Sequence, residues 1–254
     1  MKVTILGSGT SSGVPMMGCH CAVCTSADRK DKRLRASVLI EINNKRILID
    51  TGPDLREQML REHVDDLDAI IYTHEHNDHI AGLDEIRPYN FLHNKSMDLY
   101  LSEQVEIALR KRFHYVFGEK SYPGLPEVTL HRITNFPFYV HDIKCIPIQV
   151  FHYNLPVFGF RIGDFTYITD ANLIPDDEKH KIAGTKVLVL NALRKEKHIS
   201  HFNLEEAIAL VHQLKPEVTY FTHISHQMGL HAEVEKVLPP NIYLAYDGLK
   251  IQLQ

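Results

Sequence analysis

The sequence predicts an α/β (α+β) fold: two mixed β-sheets packed face to face, with helices on the outer faces. Three observations point there. Short β-type runs alternate with helical patterns along all 254 residues. The earliest runs pair through tight turns before the first helix. The same kind of pattern then recurs in the second half, and two half-buried sheets bury their apolar faces best against each other. No repeat, low-complexity tract or flexible linker divides the chain, so a single domain over 1–254 is expected.

Composition sets the outer bounds. At 44% apolar and 24% charged, the chain is ordinary globular protein. No window approaches the ~18 consecutive apolar residues of a membrane span. The opening Met1-Lys2-Val3-Thr4-Ile5-Leu6 lacks the charged region and long apolar core of a signal peptide. A soluble cytoplasmic protein with no membrane partner is expected. Lys+Arg 28 against Asp+Glu 32 leaves a net charge of −4, which argues against a broad surface for a nucleic-acid polymer. Two counts stand out: 17 His, and 4 Cys of which three fall within six residues. In a cytosolic chain, clustered Cys suggests metal rather than disulfides.

Taken in order, β-branched and aromatic runs predict strands at 3–6, 37–42, 46–49, 69–72, 98–101, 128–133, 143–150, 157–162, 165–169, 187–190, 218–221, 242–244 and 249–253. Asn43-Asn44 and Gly163-Asp164 separate paired runs and read as hairpin turns. Apolar residues at helical spacing predict helices at 53–63, 102–113, 175–182, 203–214 and 231–237. Asn203 with Glu206 three residues on forms a capping-box signature, and Pro216 ends that helix.

The sharpest chemical signal is Thr73-His74-Glu75-His76-Asn77-Asp78-His79, directly after the apolar run Ala69-Ile70-Ile71-Tyr72. Three imidazoles and a carboxylate so close together suit a borderline-soft divalent cation. Alternate residues of an extended segment face the same way, so His74 and His76 can share one ion. Asp78 and His79 then begin a turn or helix and can aim at a second. Two ions need more donors, and three further residues end strands: His152, Asp170 and His223. Ligands at the same end of similarly directed elements fit a site built on loops over a rigid scaffold. His152 is preferred to His141, which precedes its strand, and Asp170 to Asp164, which lies in a hairpin turn and reads as solvated.

Cys19-His20-Cys21-Ala22-Val23-Cys24 supplies three thiolates at the spacing of a structural zinc site and lacks one ligand. His20, Cys145 and a distant His compete for that place. His20 sits between two ligands, and Cys145 reads as a buried free thiol. His226, three residues beyond His223, could reach from the dinuclear site towards the Cys loop. The runs 29–35 and 194–197 are basic; a solvated charged face is the default reading. His63, His93, His114, His131, His180, His212 and His231 belong to no constellation and read as surface or core residues.

The motif at His74, His76, Asp78 and His79, followed by His152, Asp170 and His223, resembles the metallo-β-lactamase superfamily over essentially the whole chain. The resemblance implies a four-layer αββα sandwich. It also implies a dinuclear site in which His74, His76 and His152 hold one ion, Asp78, His79 and His223 the other, and Asp170 bridges. The opening Leu6-Gly7-Ser8-Gly9-Thr10-Ser11-Ser12-Gly13-Val14-Pro15 is similar to the start of the phosphodiesterase branch; its Gly-Ser-Gly turn could offer N–H groups to an anion. Asp50 matches the family's Asp that supports the ligands from behind. His201 matches the non-ligand His of the phosphodiesterase branch, which contacts phosphate or protonates the leaving oxygen; His198 is its rival. The Cys loop with His-x2-His is similar to the PhnP family, cyclic-phosphate phosphodiesterases of phosphonate breakdown. That likeness implies a structural zinc on Cys19, Cys21, Cys24 and His226, a zinc-stapled loop at 15–30, and allows for a homodimer.

The resulting expectation is a metal-dependent phosphodiesterase with two divalent ions, Zn or Mn, acting on a small cyclic phosphodiester, with Asp78 or His201 relaying the proton. The rivals are a tRNA 3′-endonuclease, a lactonase or thioesterase, an oxygenase-type role like that of a pyrroloquinoline-quinone pathway protein, and a non-catalytic metal-stabilised binding protein. Between Asp170 and His201 the sequence has no room for the long tRNA-gripping arm.

Overall fold

The computed structural model describes residues 1–118 and 124–253. In chain order its elements are β1 (Lys2–Gly7), α1 (Ala22–Thr25), β2 (Ser37–Ile42), β3 (Lys45–Ile49), α2 (Leu55–Glu62), β4 (Ala69–Ile71), α3 (Asn77–Ile80), α4 (Arg87–His93), β5 (Met97–Leu101), α5 (Glu103–Arg112), α6 (His114–Phe117), β6 (Val128–Arg132) and β7 (Phe138–Val140). There follow β8 (Ile143–His152), β9 (Leu155–Ile162), β10 (Phe165–Ile168), α7 (Asp176–Ile182), β11 (Val187–Asn191), α8 (Leu204–Leu214), β12 (Val218–Thr222), α9 (His231–Val234), β13 (Ile242–Leu244) and β14 (Lys250–Gln252). The strands form two mixed seven-stranded sheets, ordered β14-β1-β2-β3-β4-β5-β6 and β13-β12-β11-β10-β9-β8-β7.

Strand β3 shows why this is four layers. Ile47 and Ile49 point into an inter-sheet core with Val38, Phe160, Phe165 and Tyr167. Leu48, between them, points the other way, into a second core with Leu55 and Met59 of α2 and Val105 and Leu109 of α5. All three are fully buried. With both faces covered, a strand reads as a continuous apolar run rather than an alternation. The second sheet repeats the plan: Leu188 and Leu190 pack outward against Ala207, Leu210 and Val211 of α8. Each such side chain is worth about 1.5–3 kcal/mol on burial.

Turn chemistry sets the pairing. Asn43 and Asn44 both take positive φ (50° and 58°), the left-handed pair that matches the twist of a two-residue hairpin between β2 and β3. Asn203 caps α8 by accepting from the Glu206 N–H, and the Glu206 carboxylate accepts from the Asn203 N–H. Asn203→Ala is expected to cost about 1 kcal/mol. Thermal unfolding should show a fall of roughly 2–4 °C.

The structure adds elements that the patterning did not reveal. Helices α1, α3 and α6 are four residues each, too short for a helical period to register. Helix α4 carries Pro88 in its first turn, where a missing N–H costs nothing. Strand β7 is three residues directly after Pro137. The basic run at 29–35 is not simply a solvated face. Arg33 is buried, donating to Ser8 Oγ (2.8 Å) and the Ala245 carbonyl and contacting His231 Nδ1 (3.1 Å). Among the described residues no helix is long and apolar enough to cross a membrane.

Strand direction places the site. In the first sheet β3 and β4 run parallel, and in the second β10, β11 and β12 run parallel. Strand β8 is antiparallel to β9, which is antiparallel to β10, so β8 runs with β10. The C-terminal ends of these strands are where chemistry gathers in such sheets.

Candidate active site

Asp50, Asp170 and His223 each follow the last residues of a strand, and each takes left-handed backbone, with φ of 66°, 53° and 56°. Asp and His tolerate this region better than most residues. The sharp turn stops the strand and aims the side chain across the sheet edge. The residue after Asp170 is clamped by Asn191 at the end of β11, which donates to the Ala171 carbonyl and accepts from its N–H, both at 2.9 Å. Helix α3 begins after His76 and brings Asp78 and His79 round to the same edge. The Asp50 loop packs tightly on it: a Cβ on Gly52 would lie 2.4 Å from the Asp78 carbonyl oxygen.

These segments bring together the predicted ligands. The Nε2 of His79 lies 3.1 Å from Asp170 Oδ2 and 3.2 Å from Asp78 Oδ2. His223 Nε2 lies 3.2 Å from Asp170 Oδ1 and 3.6 Å from Asp78 Oδ2. Donor atoms of Asp78, His79, Asp170 and His223 all lie within 4.8 Å of one another. On the other side of Asp170, the His74 and His76 rings are 4.6 Å apart, and the His76 and His152 rings 5.1 Å. The donor set that assembles here is His152, Asp170 and His201; the predicted ligands His74 and His76 stand beside it by their ring distances but belong to neither set. The ring of His201 is 4.5 Å from that of His152 and is stacked at 4.8 Å on His223. His201, read from sequence as a non-ligand, thus sits within ligand reach of the same carboxylate. His198 stands one ring further out, 5.1 Å from His201. His141 occupies the turn before β8, at the far end of that strand.

Hydrogen bonds fix which imidazole nitrogen faces inward. Asp50 is fully buried and accepts three bonds: from the Thr73 N–H (2.9 Å), the Thr73 hydroxyl (2.8 Å) and His79 Nδ1 (2.7 Å). With its hydrogen given to Asp50, the Thr73 oxygen accepts from His74 Nδ1 (2.9 Å). The Ser200 carbonyl can only accept, so His152 Nδ1, at 2.8 Å, carries the proton there. In His74 and His152 the Nε2 lone pair is therefore left for the site. His79 Nε2 faces the carboxylates of Asp170 and Asp78. Burial alone would lower the pKa of that ring, but Asp170, Asp50 and Asp78 hold it well above its usual value. His74 Nε2, His79 Nε2 and both His223 nitrogens are buried without a hydrogen-bond partner. Orphaned imidazole nitrogens crowded against carboxylates are what a divalent cation resolves, taking the place of any proton they carry.

The electrostatics follow from burial. Burial alone would raise the Asp170 carboxyl, but the surrounding imidazoles of His223 and His79 hold it well below its usual range. Burial, and next the neighbouring His223, push His201 down to about 3, so the ring is neutral at pH 7. Thr73, Asn191 and the Ser200 carbonyl were not singled out from sequence.

The second cluster also assembles. His226 Nδ1 lies 3.4 Å from Cys19 Sγ and 3.3 Å from Cys21 Sγ, and with Cys24 the four donors lie within 4.8 Å of one another. The Cys24 N–H donates to Cys21 Sγ (3.5 Å) and the Met16 N–H to Cys24 Sγ (3.4 Å), as backbone donors do around thiolates. The bond to His226, then that from Cys24, pulls the Cys21 thiol down to about 6, whereas burial pushes Cys24 up to about 11. His20 is exposed, and Cys145 is buried mid-strand in the inter-sheet core. The Gly-Ser-Gly turn does not present its N–H groups to an anion. Those of Ser8, Gly9 and Thr10 are held by Asp247, the Leu34 carbonyl and the Ile224 carbonyl. The turn instead joins the N-terminal loop to the segment between His223 and His226, with the Ile224 N–H returning a bond to the Ser8 carbonyl (2.9 Å).

The model of the beta-lactamase superfamily domain matches residues 45–224, and the chain belongs to that superfamily. Within it the chain is PhnP-like. It is 42% identical to a crystallised diphosphatase of the PhnP family, with a TM-score of 0.93 over 100% of this chain and 98% of that one. It is 41% identical to an octanoyltransferase of Porphyromonas gingivalis over 98% of its own length, but spans only 51% of that relative. The zinc-bound PqqB of Methylobacterium extorquens shares the fold at a TM-score of 0.80 over 100% of both chains, with 21% identity.

Proposed function

We propose that the protein is a metal-dependent hydrolase that cleaves small phosphodiesters at two divalent ions, with a separate structural zinc. One observation carries this reading: the Nε2 atoms of His74, His79 and His223 are buried at the site without a hydrogen-bond partner, the first two rings being held from behind by Thr73 and Asp50. His74, His76 and His152 would hold one ion, Asp78, His79 and His223 the other, with Asp170 between them. Cys19, Cys21, Cys24 and His226 would hold the zinc. Zn or Mn suits the imidazole and carboxylate set.

When bound, such a pair of ions makes water acidic enough to attack at neutral pH and offsets charge growing on the phosphoryl oxygens. The chain's own groups do the rest. Asp50 keeps the imidazoles of His79 and, through Thr73, His74 in one orientation. His201, neutral and beside Asp170, donates a hydrogen bond to a phosphoryl or leaving oxygen. Asp78, at the edge of the cluster, relays the proton that the leaving oxygen needs. A small cyclic diester such as a ribosyl 1,2-cyclic phosphate or a 2′,3′-cyclic nucleotide fits the PhnP likeness. The name of the 42% identical relative favours a phosphate anhydride as the second reading.

The segment between Asp170 and His201 holds only α7 and β11, which supports a small substrate over tRNA. The octanoyltransferase name belongs to a relative about twice as long, and acyl transfer is not part of this proposal.

His201→Ala should keep the full metal content and lose roughly 100-fold or more of kcat, the range for losing one hydrogen-bond donor to developing charge. Metal analysis beside turnover of 2′,3′-cyclic AMP checks this. Wild-type turnover would remove His201 from the reaction.

A further inference from the structure

Beside the candidate active site lies a cavity of about 310 Å3, at the small end of the ~300–1,000 Å3 typical of small-molecule sites. Its walls come from residues that follow β4, β5 and β6 of one sheet and from β8 and β9 of the other. Thr73, which contacts both Asp50 and His74, forms part of its wall. Phe158, whose N–H donates to the Thr73 carbonyl (3.1 Å), forms another part. The cavity therefore begins one residue from the proposed ligand His74.

Its lining excludes one class of occupant. Ser102, Thr134 and Gln149 are neutral and polar, and Phe158 is aromatic. Among the described residues no Lys, Arg or His lines it. Its carboxylate, Glu103, already pairs with Arg132 at 3.0 Å. The cations next to the lining are committed, Arg132 to Glu103 and Glu106 and Lys181 to Glu178, so a second phosphate here would have to compete with carboxylates for them. The backbone N–H of Gln149 is held by Glu178 (2.8 Å), which fixes the strand under the side-chain amide. Amide and hydroxyl groups beside an aromatic ring recognise a flat ring with hydrogen-bonding edges.

Building on the hydrolase reading, we infer that this cleft binds the neutral planar part of the substrate, a ring of the kind a nucleobase presents. The phosphodiester then lies against His201 and the metal ligands. The preferred substrates are nucleoside phosphodiesters rather than sugar phosphates carrying a second phosphate.

The test is adenosine binding to metal-loaded protein, monitored by saturation-transfer NMR and calorimetry, with Gln149→Ala and Thr134→Lys as variants. Thr134 is exposed, so its variant should fold normally. Adenosine should bind the wild type, and Gln149→Ala should weaken it about fivefold, the worth of one neutral hydrogen bond. With the cyclic nucleotide as substrate, the same variant should show a KM raised by that factor and an unchanged kcat. Thr134→Lys should favour substrates with an extra phosphate. Adenosine that fails to bind at about 10 mM, or binds both variants as it binds the wild type, overturns the inference. Gln149-dependent adenosine binding without any phosphodiester hydrolysis would keep the cleft and overturn the hydrolase reading instead.

Discussion

Asp50→Asn is expected to abolish nearly all turnover and to weaken metal binding by about 10–100-fold, the usual cost of losing a carboxylate behind metal-bound histidines. The carboxylate accepts three bonds while fully buried. An amide of the same size offers only one accepting oxygen and brings two hydrogens into a space arranged for acceptors. The His79 ring loses the partner that keeps its proton on Nδ1, and the Thr73 hydroxyl is free to turn away from the bond that orients His74. Metal titration of the stripped variant, read by calorimetry, measures the effect. Affinity and turnover equal to wild type would mean that Asp50 merely ends β3.

Cys21→Ser is expected to lose one metal ion per chain and to lower the melting temperature by roughly 5–10 °C, equivalent to about 2–3 kcal/mol for a domain this size. The reason lies in what the cluster joins. Cys19, Cys21 and Cys24 belong to a loop with little core of its own, packed mainly through Val14, Val23 and Leu230. His226 belongs to the segment that carries His223. A hydroxyl cannot replace the thiolate, and the remaining donors lose one of four corners. Because Ile224 is bonded to Ser8 and Thr10, slackening of this loop should also displace His223 and lower turnover. Zinc content and melting equal to wild type would show that the cluster holds no ion.

What the sequence revealed, and what it hid, has a physical pattern. The motif from His74 to His79 was legible because its donors are contiguous and follow an apolar strand. Asp170, His223 and His152 were legible because each ends a strand whose pattern is strong. The layered architecture was legible for the same reason: Ile47, Leu48 and Ile49 are apolar in succession only if both faces of the strand are covered. The supporting bonds were hidden. Ser200 acts through a backbone carbonyl, which residue type does not report. Thr73 and Asn191 act on neighbours that only the fold brings close. Arg33 lay in a charged run, and two of its partners, Ala245 and His231, are about two hundred residues away. The position of His201 between His152 and His223 likewise required the folded chain, since its helix-preceding loop carries no pattern of its own.

The buried imidazoles and carboxylates are proposed to form a two-ion hydrolytic site. The most direct test is to strip the protein with a chelator, restore manganese or zinc in steps, and follow hydrolysis of 2′,3′-cyclic AMP against bound metal per chain. Three ions at saturation are expected, one of them lost with Cys21, with phosphodiester hydrolysis that appears only as the other two bind. Saturation at one ion, or full loading with no hydrolysis of any phosphodiester or phosphate anhydride, would contradict that proposal.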